Sequence, residues 1–156
     1  MNAIYAGSFD PFTNGHMEVL RQALPLFDKV TVLFAENPAK STRFNCNPIM
    51  WSLRQMMPDV DFELQVPGTM LTDEMKRRGC EYLIRGLRGT SDYLYEETLF
   101  QSYRLLKPDC KVVYFNSGTV ISSTLVYELW RHGQDVGQYI PYSPDILVPA
   151  MKDRPC

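Results

Sequence analysis

Asn2-Ala3-Ile4-Tyr5-Ala6-Gly7-Ser8-Phe9-Asp10-Pro11-Phe12-Thr13-Asn14-Gly15-His16 opens the chain and decides how the rest is read. Asn2–Ala6 is a short apolar run ending in Gly7, and a Gly/Asp/Pro/Asn cluster follows to Gly15, so strand gives way to loop. Helical spacing comes next: Val19, Leu20, Ala23, Leu24 and Phe27 share one face, and Pro25 should end or kink that helix.

The same alternation continues. Lys29–Ala35 reads as a β-branched strand, followed by a polar loop from Glu36 and a helix with Asn47 as N-cap and Pro48 at its first position, stopping before Pro58. Asp61–Val66 is a strand, Thr69–Arg78 a helix closed by Gly79, and Tyr82–Arg85 a strand. Asp92–Leu106 is the longest helix, with Leu94, Tyr95, Leu99 and Leu106 available for burial. Lys111–Phe115 is the fifth strand, and Ser122 or Ser123 caps a helix running to about His132 and ended by Gly133. The tail from Tyr139 is proline-punctuated, with a short helix near Ile146–Met151. Strands alternating with helices predict a doubly wound α/β fold: a parallel five-stranded sheet with helices on both faces.

A length of 156 residues suits one domain, taken as residues 1–156. With 45% hydrophobic and 22% charged residues the chain is too apolar for disorder, and no run approaches the ~20 apolar residues that span a bilayer. A net charge of -2 provides no global polycation for nucleic acid, so any anion site must be local. Cys46, Cys80, Cys110 and Cys156 lie 34, 30 and 46 residues apart, and the only histidines are His16 and His132, which argues against structural zinc. The start of the chain lacks the basic and apolar regions of a signal peptide, so reduced thiols and a cytoplasmic location are expected.

Ligands of such sheets bind beyond the carboxyl ends of the strands. In the first such loop, two glycines admit a close backbone approach, a helix beginning near Asn14 directs its N–H groups there, and His16 sits in its first turn. In the second, Arg85-Gly86-Leu87-Arg88-Gly89 sets two arginines three apart at a strand end, with the planar fork that suits phosphate. In the third, Gly118-Thr119-Val120-Ile121-Ser122-Ser123-Thr124 opens a helix with consecutive hydroxyl residues. Lys40 adds a cation just past the second strand. The plainer possibilities are ordinary turns, helix caps and solvated charges. Read together, the loops hold no strong general base, no metal cage and no nucleophile–base–orienter trio. They suit a reaction on phosphates in which protein groups position and neutralise charge.

These residues resemble a known family. Gly7-Ser8-Phe9-Asp10-Pro11 with Thr13-Asn14-Gly15-His16 is similar to the (H/T)xGH motif of the nucleotidylyltransferase superfamily, and Ile121-Ser122-Ser123-Thr124 to its second motif. Leu83-Ile84-Arg85-Gly86-Leu87-Arg88, followed by Asp92, Tyr95 and Glu96, resembles the bacterial phosphopantetheine adenylyltransferases, as does Thr13. The resemblance runs from residue 3 to about 140 and implies a Rossmann-like sheet. It implies adenylyl transfer from ATP to 4′-phosphopantetheine, giving dephospho-coenzyme A and pyrophosphate, with Mg²⁺ accompanying the nucleotide.

Carried over, the resemblance makes His16, Lys40 and Arg85 catalytic. Ser8, Lys40, Arg85 and the backbone of Leu71 would bind the acceptor. Ser8, Phe9, His16, Gly86, Leu87, Arg88, Glu96 and the stretch Gly118 to Thr124 would bind ATP. A homohexamer and coenzyme A as feedback ligand are further implications. Glu74 stands where the family usually has an aromatic residue beside the pantetheine arm. The alternatives are a nucleotidylyltransferase for another acceptor, of nicotinate mononucleotide or glycerol phosphate type, and a non-catalytic nucleotide sensor. Retention of His16, Lys40 and Arg85 speaks against the sensor.

Overall fold

Ala3 and Tyr5 of the first strand face one side of the sheet, Ile4 and Ala6 face the other, and all four are buried. The period of two in a strand thus forces helices onto both sides. The structure, a computed structural model, describes residues 1–35, 37, 41–118 and 121–151. Lys40, Thr119, Val120 and Cys156 therefore lie outside the described residues.

Five parallel strands, β1 (Asn2–Gly7), β2 (Lys29–Phe34), β3 (Asp61–Leu64), β4 (Tyr82–Leu87) and β5 (Lys111–Asn116), form one sheet in the order β3-β2-β1-β4-β5. Register is continuous, with Asn2 opposite Lys29 and Gly7 opposite Phe34, and Tyr82 opposite Lys111. Strand order reverses between β1 and β4, so the crevice for a ligand opens there. This is the predicted α/β fold.

Helices α1 (Asn14–Ala23), α2 (Cys46–Met56) and α5 (Ser123–Arg131) cover the Ala3/Tyr5 face, contributing Leu20, Leu53 and Val126 to its core. Helices α3 (Leu71–Arg77) and α4 (Thr90–Leu106) cover the Ile4/Ala6 face, where Met75, Cys80, Leu83 and Cys110 cluster. Each fully buried leucine contributes roughly 2 kcal/mol by transfer from water. Cys46, Cys80 and Cys110 are buried thiols outside any disulfide.

Pro25 ends α1 as expected, at Ala23, and the chain passes through a single 3-10 turn, Leu24–Leu26. Local outcomes differ in three places. Asn45, not Asn47, caps α2 by accepting the N–H of Asn47 at 3.0 Å; Pro48 then falls at the third position, still among the N–H groups a helix leaves unbonded. The described part of the tail has a 3-10 turn, Pro144–Ile146, and a bridge from Pro149 to Phe44 in place of a helix near Ile146–Met151.

The third difference is in α4. Leu94, Tyr95 and Leu106 are exposed, at 63%, 62% and 43%, while the residues turned to the sheet are Glu96, Phe100 and Tyr103. That stripe has helical spacing but begins with a carboxylate, which an apolar pattern does not reveal.

Candidate active site

Loop β1–α1 is built around a bulky residue in a left-handed conformation. Phe9 has φ 45°, uncommon for a side chain of its size, and its ring is held by Tyr5, Phe12, Phe34 and His16 at centroid distances of 5.0 to 5.1 Å. Such a conformation persists because the packing over-determines it. Asp10 accepts the main-chain N–H groups of Arg43 at 2.8 Å and Phe44 at 2.9 Å. From the far end of the chain, Tyr139 O accepts the Asn14 N–H at 2.9 Å and the Tyr142 hydroxyl donates to Phe12 O at 2.7 Å. The irregular tail thus fixes the first loop. No sequence spacing signals bonds that span more than a hundred residues.

Thr13 caps α1, and the side chain three positions on, where Glu or Gln completes a capping box, is His16. The Thr13 N–H donates to His16 Nδ1 at 2.9 Å, and Thr13 Oγ1 lies 3.1 Å from the same nitrogen. Because Nδ1 accepts, the ring proton resides on Nε2. Burial, reinforced by the positive charges of Arg88 and Arg85, pushes the His16 pKa down to about 3. At neutral pH His16 is a neutral N–H donor.

Arg85, in the carboxyl half of β4, which runs on to Leu87, donates through Nε to Glu96 Oε2 at 2.8 Å, through Nη2 to Glu96 Oε1, and through Nη1 to Ala6 O at 2.8 Å. Both side chains are mostly buried, at 19% and 9% exposure. Arg88 is more open and pairs with Asp92 at 3.0 Å. A groove of about 470 Å³ lies beside it, lined by Leu87, Arg88, Gly89, Thr90, Tyr93, Tyr114, Phe115 and Asn116 at the ends of β4 and β5.

The three loops converge on the start of α1. Ser123 Oγ donates to Pro11 O at 2.8 Å, joining the second motif to the first, while Ser122 caps α5 through the Leu125 N–H at 3.1 Å. Thr124 accepts from Arg43, which lies over the Tyr127 ring at 5.0 Å. A Cβ on Gly86 would stand 3.0 Å from Val19 Cγ2, and one on Gly118 3.1 Å from Glu18 Oε1, so β4 and the β5–α5 loop both press on α1. Ser8 is exposed between these loops.

Leu71 begins α3, and its side chain packs on the Ile4/Ala6 core. The buried Glu74 carboxylate accepts the Val66 N–H at 2.9 Å and pairs with Arg77 at 2.5 Å and Arg78 at 3.4 Å. It fastens the β3–α3 loop. Among the described residues no group of three His, Cys, Asp or Glu side chains could hold a metal.

A doubly wound sheet with a neutral histidine donor, two arginines and two helix starts at its switch point defines a phosphate-handling transferase of the nucleotidyltransferase class. The chain belongs to the cytidylyltransferase-like family, whose model matches residues 4–129. It is similar to the phosphopantetheine adenylyltransferase of Cytophaga hutchinsonii, with 35% identity over 144 residues covering 90% of this chain and 96% of that one. Two solved structures share the fold at low identity. A bifunctional NMN adenylyltransferase/ADP ribose pyrophosphatase from Francisella tularensis has a TM-score of 0.64 at 16% identity, over 94% of this chain and 46% of that one. A lipopolysaccharide core biosynthesis protein from Thermoplasma volcanium has a TM-score of 0.58 at 18% identity, over 76% and 98%.

Proposed function

We propose that this protein transfers the adenylyl group of ATP to 4′-phosphopantetheine, producing dephospho-coenzyme A and pyrophosphate. The observation that carries the reading is a neutral His16 donor beside an Arg85 fork, on a chain similar across nearly its whole length to a relative of that name. An oxygen of the acceptor phosphate attacks the α-phosphorus, and the bond from that phosphorus to the β-bridging oxygen breaks. The attacking oxygen is already anionic at neutral pH, so no proton has to be removed.

Charge grows on the α-phosphate oxygens and on departing pyrophosphate, where fixed donors lower the barrier. His16 Nε2–H supplies one donor. Arg88 and the α5 start at Ser122–Thr124 receive the triphosphate, and Arg85 with Lys40 and Ser8 takes the acceptor phosphate. Mg²⁺ would be held mainly by the triphosphate and water, as suits an ion reluctant to lose its hydration, and would neutralise phosphate charge. Asp10, with both oxygens bonded to main-chain N–H groups, is structural in this reading. Tight Mg²⁺ binding to the nucleotide-free protein in calorimetry would contradict it.

A homohexamer, feedback by coenzyme A and a cytoplasmic location belong to the same reading. The exposed Leu94, Tyr95 and Leu105 of α4 support subunit contact, and sedimentation equilibrium tests it. The test of the function is pyrophosphate release from ATP or CTP across a panel of phosphorylated acceptors, with the product identified by mass. Turnover with nicotinate mononucleotide or glycerol phosphate in place of phosphopantetheine would move the protein to a sister activity.

A further inference from the structure

We propose that Arg43 is a further nucleotide-binding residue, one that takes the β- and γ-phosphates of ATP and holds them as pyrophosphate departs. The inference rests on the adenylyl-transfer reading and adds a residue to it that lies outside the three loop motifs. The Arg43 guanidinium donates through Nη2 to Thr124 Oγ1 at 3.1 Å and lies over the Tyr127 ring at 5.0 Å. Both partners belong to α5, in which Thr124 is the second residue. Among the described residues Arg43 forms no ion pair, and the other four N–H groups of its fork meet no acceptor. A cation against the first turn of a helix opposes the dipole, whose positive end lies there. That turn of α5 has no acidic residue, and the N–H groups of Ser123 and Thr124 meet no acceptor among the described residues. One anion satisfies all of these donors together.

The side chain projects from a fixed stretch of backbone. The Arg43 N–H donates to Asp10 of the first motif at 2.8 Å, Arg43 O accepts the Ala150 N–H at 3.0 Å, and the Phe44 ring meets Trp130 of α5 at 4.9 Å. None of these contacts uses the Arg43 side chain, so loss of the guanidinium leaves the stretch in place. Position also selects the phosphates. Arg85 reaches Glu96 on α4, which covers the Ile4/Ala6 face, whereas Arg43 lies against α5 on the Ala3/Tyr5 face. In-line displacement sets the attacking and leaving oxygens on opposite sides of the α-phosphorus. With the acceptor phosphate at Arg85, the leaving pyrophosphate belongs on the side of Arg43.

The test is calorimetry of ATP, pyrophosphate and AMP with wild type and Arg43→Met, which keeps an unbranched stem and loses the charge. Affinity for ATP and for pyrophosphate should fall at least tenfold, through loss of charge-assisted bonds, while affinity for AMP, which lacks those phosphates, stays within twofold. The reverse reaction should show the same split, with KM for pyrophosphate raised at least tenfold and KM for dephospho-coenzyme A within twofold. An equal loss for ATP and AMP would make Arg43 a staple of α5 and overturn the proposal, as would unchanged affinity for ATP. If Arg43→Met does not fold, Arg43→Lys, which keeps the charge without the fork, should lose about threefold for ATP and pyrophosphate and is judged by the same outcomes. A wild-type protein that binds neither ATP nor pyrophosphate would defeat the adenylyl-transfer reading, and this proposal with it, before any variant is compared.

Discussion

The main-chain N–H of Thr13 points at Nδ1 of His16 across 2.9 Å, and this bond decides which nitrogen carries the ring proton. It makes the histidine a donor through Nε2–H, the group that the proposed reaction would use at the phosphate. His16→Ala should lower kcat by ~10²–10³, the scale of one lost oxyanion donor, with the ATP Kd little changed. His16→Asn, which keeps an N–H donor but no base, should recover part of the loss. Steady-state kinetics and nucleotide titration of the two variants separate the roles. If Asn is as inactive as Ala and the wild-type rate follows one histidine deprotonation, His16 is a base.

The pH dependence of stability follows from the same residue. His16 has its folded pKa pushed down to about 3, well below the usual histidine value of 6.5, so the unfolded chain binds the proton more readily. Stability contributed by the neutral ring is therefore full above about pH 6.5 and is lost as pH falls toward 3. At pH 5 the loss should reach roughly 1–2 kcal/mol. Urea denaturation at pH 7 and pH 5 should show this drop in wild type and a smaller one in His16→Asn. Equal drops would place the titration elsewhere.

What the sequence disclosed, and what it hid, divides along physical lines. Strand–helix alternation was legible because Gly79 and Gly133 punctuate it and each strand is a short apolar run. The loops at the strand ends were legible because glycines, arginines and serines are unusual there in such density. The buried stripe of α4 was not, because Glu96 breaks its apolar pattern and only Arg85, eleven residues earlier, explains its burial. The shift of the α2 cap from Asn47 to Asn45 escaped for a similar reason. Two asparagines two apart offer the same side chain, and only the path of the backbone selects one. The clamp of Tyr139 and Tyr142 on the first loop is a tertiary contact with no local signature.

Arg85 should matter for folding as well as for binding. Arg85→Ala leaves the Glu96 carboxylate buried without its partner, which costs about 3 kcal/mol by the behaviour of broken buried pairs. It should also cut kcat/KM for the phosphorylated acceptor at least tenfold, through loss of charge-assisted bonds. Replacing both members, Arg85→Met with Glu96→Leu, should recover most of the stability and none of the activity. Denaturant midpoints and acceptor kinetics on the same samples test both halves. A double variant no more stable than Arg85→Ala would mean the pair is not the source of the loss.

Gly86 and Gly89 bracket the arginine loop and should respond in opposite ways. The Cβ of Gly86→Ala would meet Val19 Cγ2 at 3.0 Å, and Val19 is fully packed on α1 at 1% exposure, so neither side has room to give. Overpacking of this kind costs roughly 1–3 kcal/mol. Because α1 also carries His16, the displacement should lower kcat as well. Gly89 is the N-cap of α4, has an extended φ of -179° and would meet nothing within 4 Å. Its helix lacks a side-chain cap, so Gly89→Ser supplies an oxygen for a free N–H and should raise stability by a few tenths of a kcal/mol. The clash in Gly86→Ala is with a single methyl group, which makes it correctable. Val19→Ala alone should destabilise by opening a cavity, yet combined with Gly86→Ala it removes the contact, so the pair should lose less than the two single changes added together. Unfolding free energies for the singles and the double close the cycle. Strict additivity would show that Gly86 is required for something other than the approach of β4 to α1.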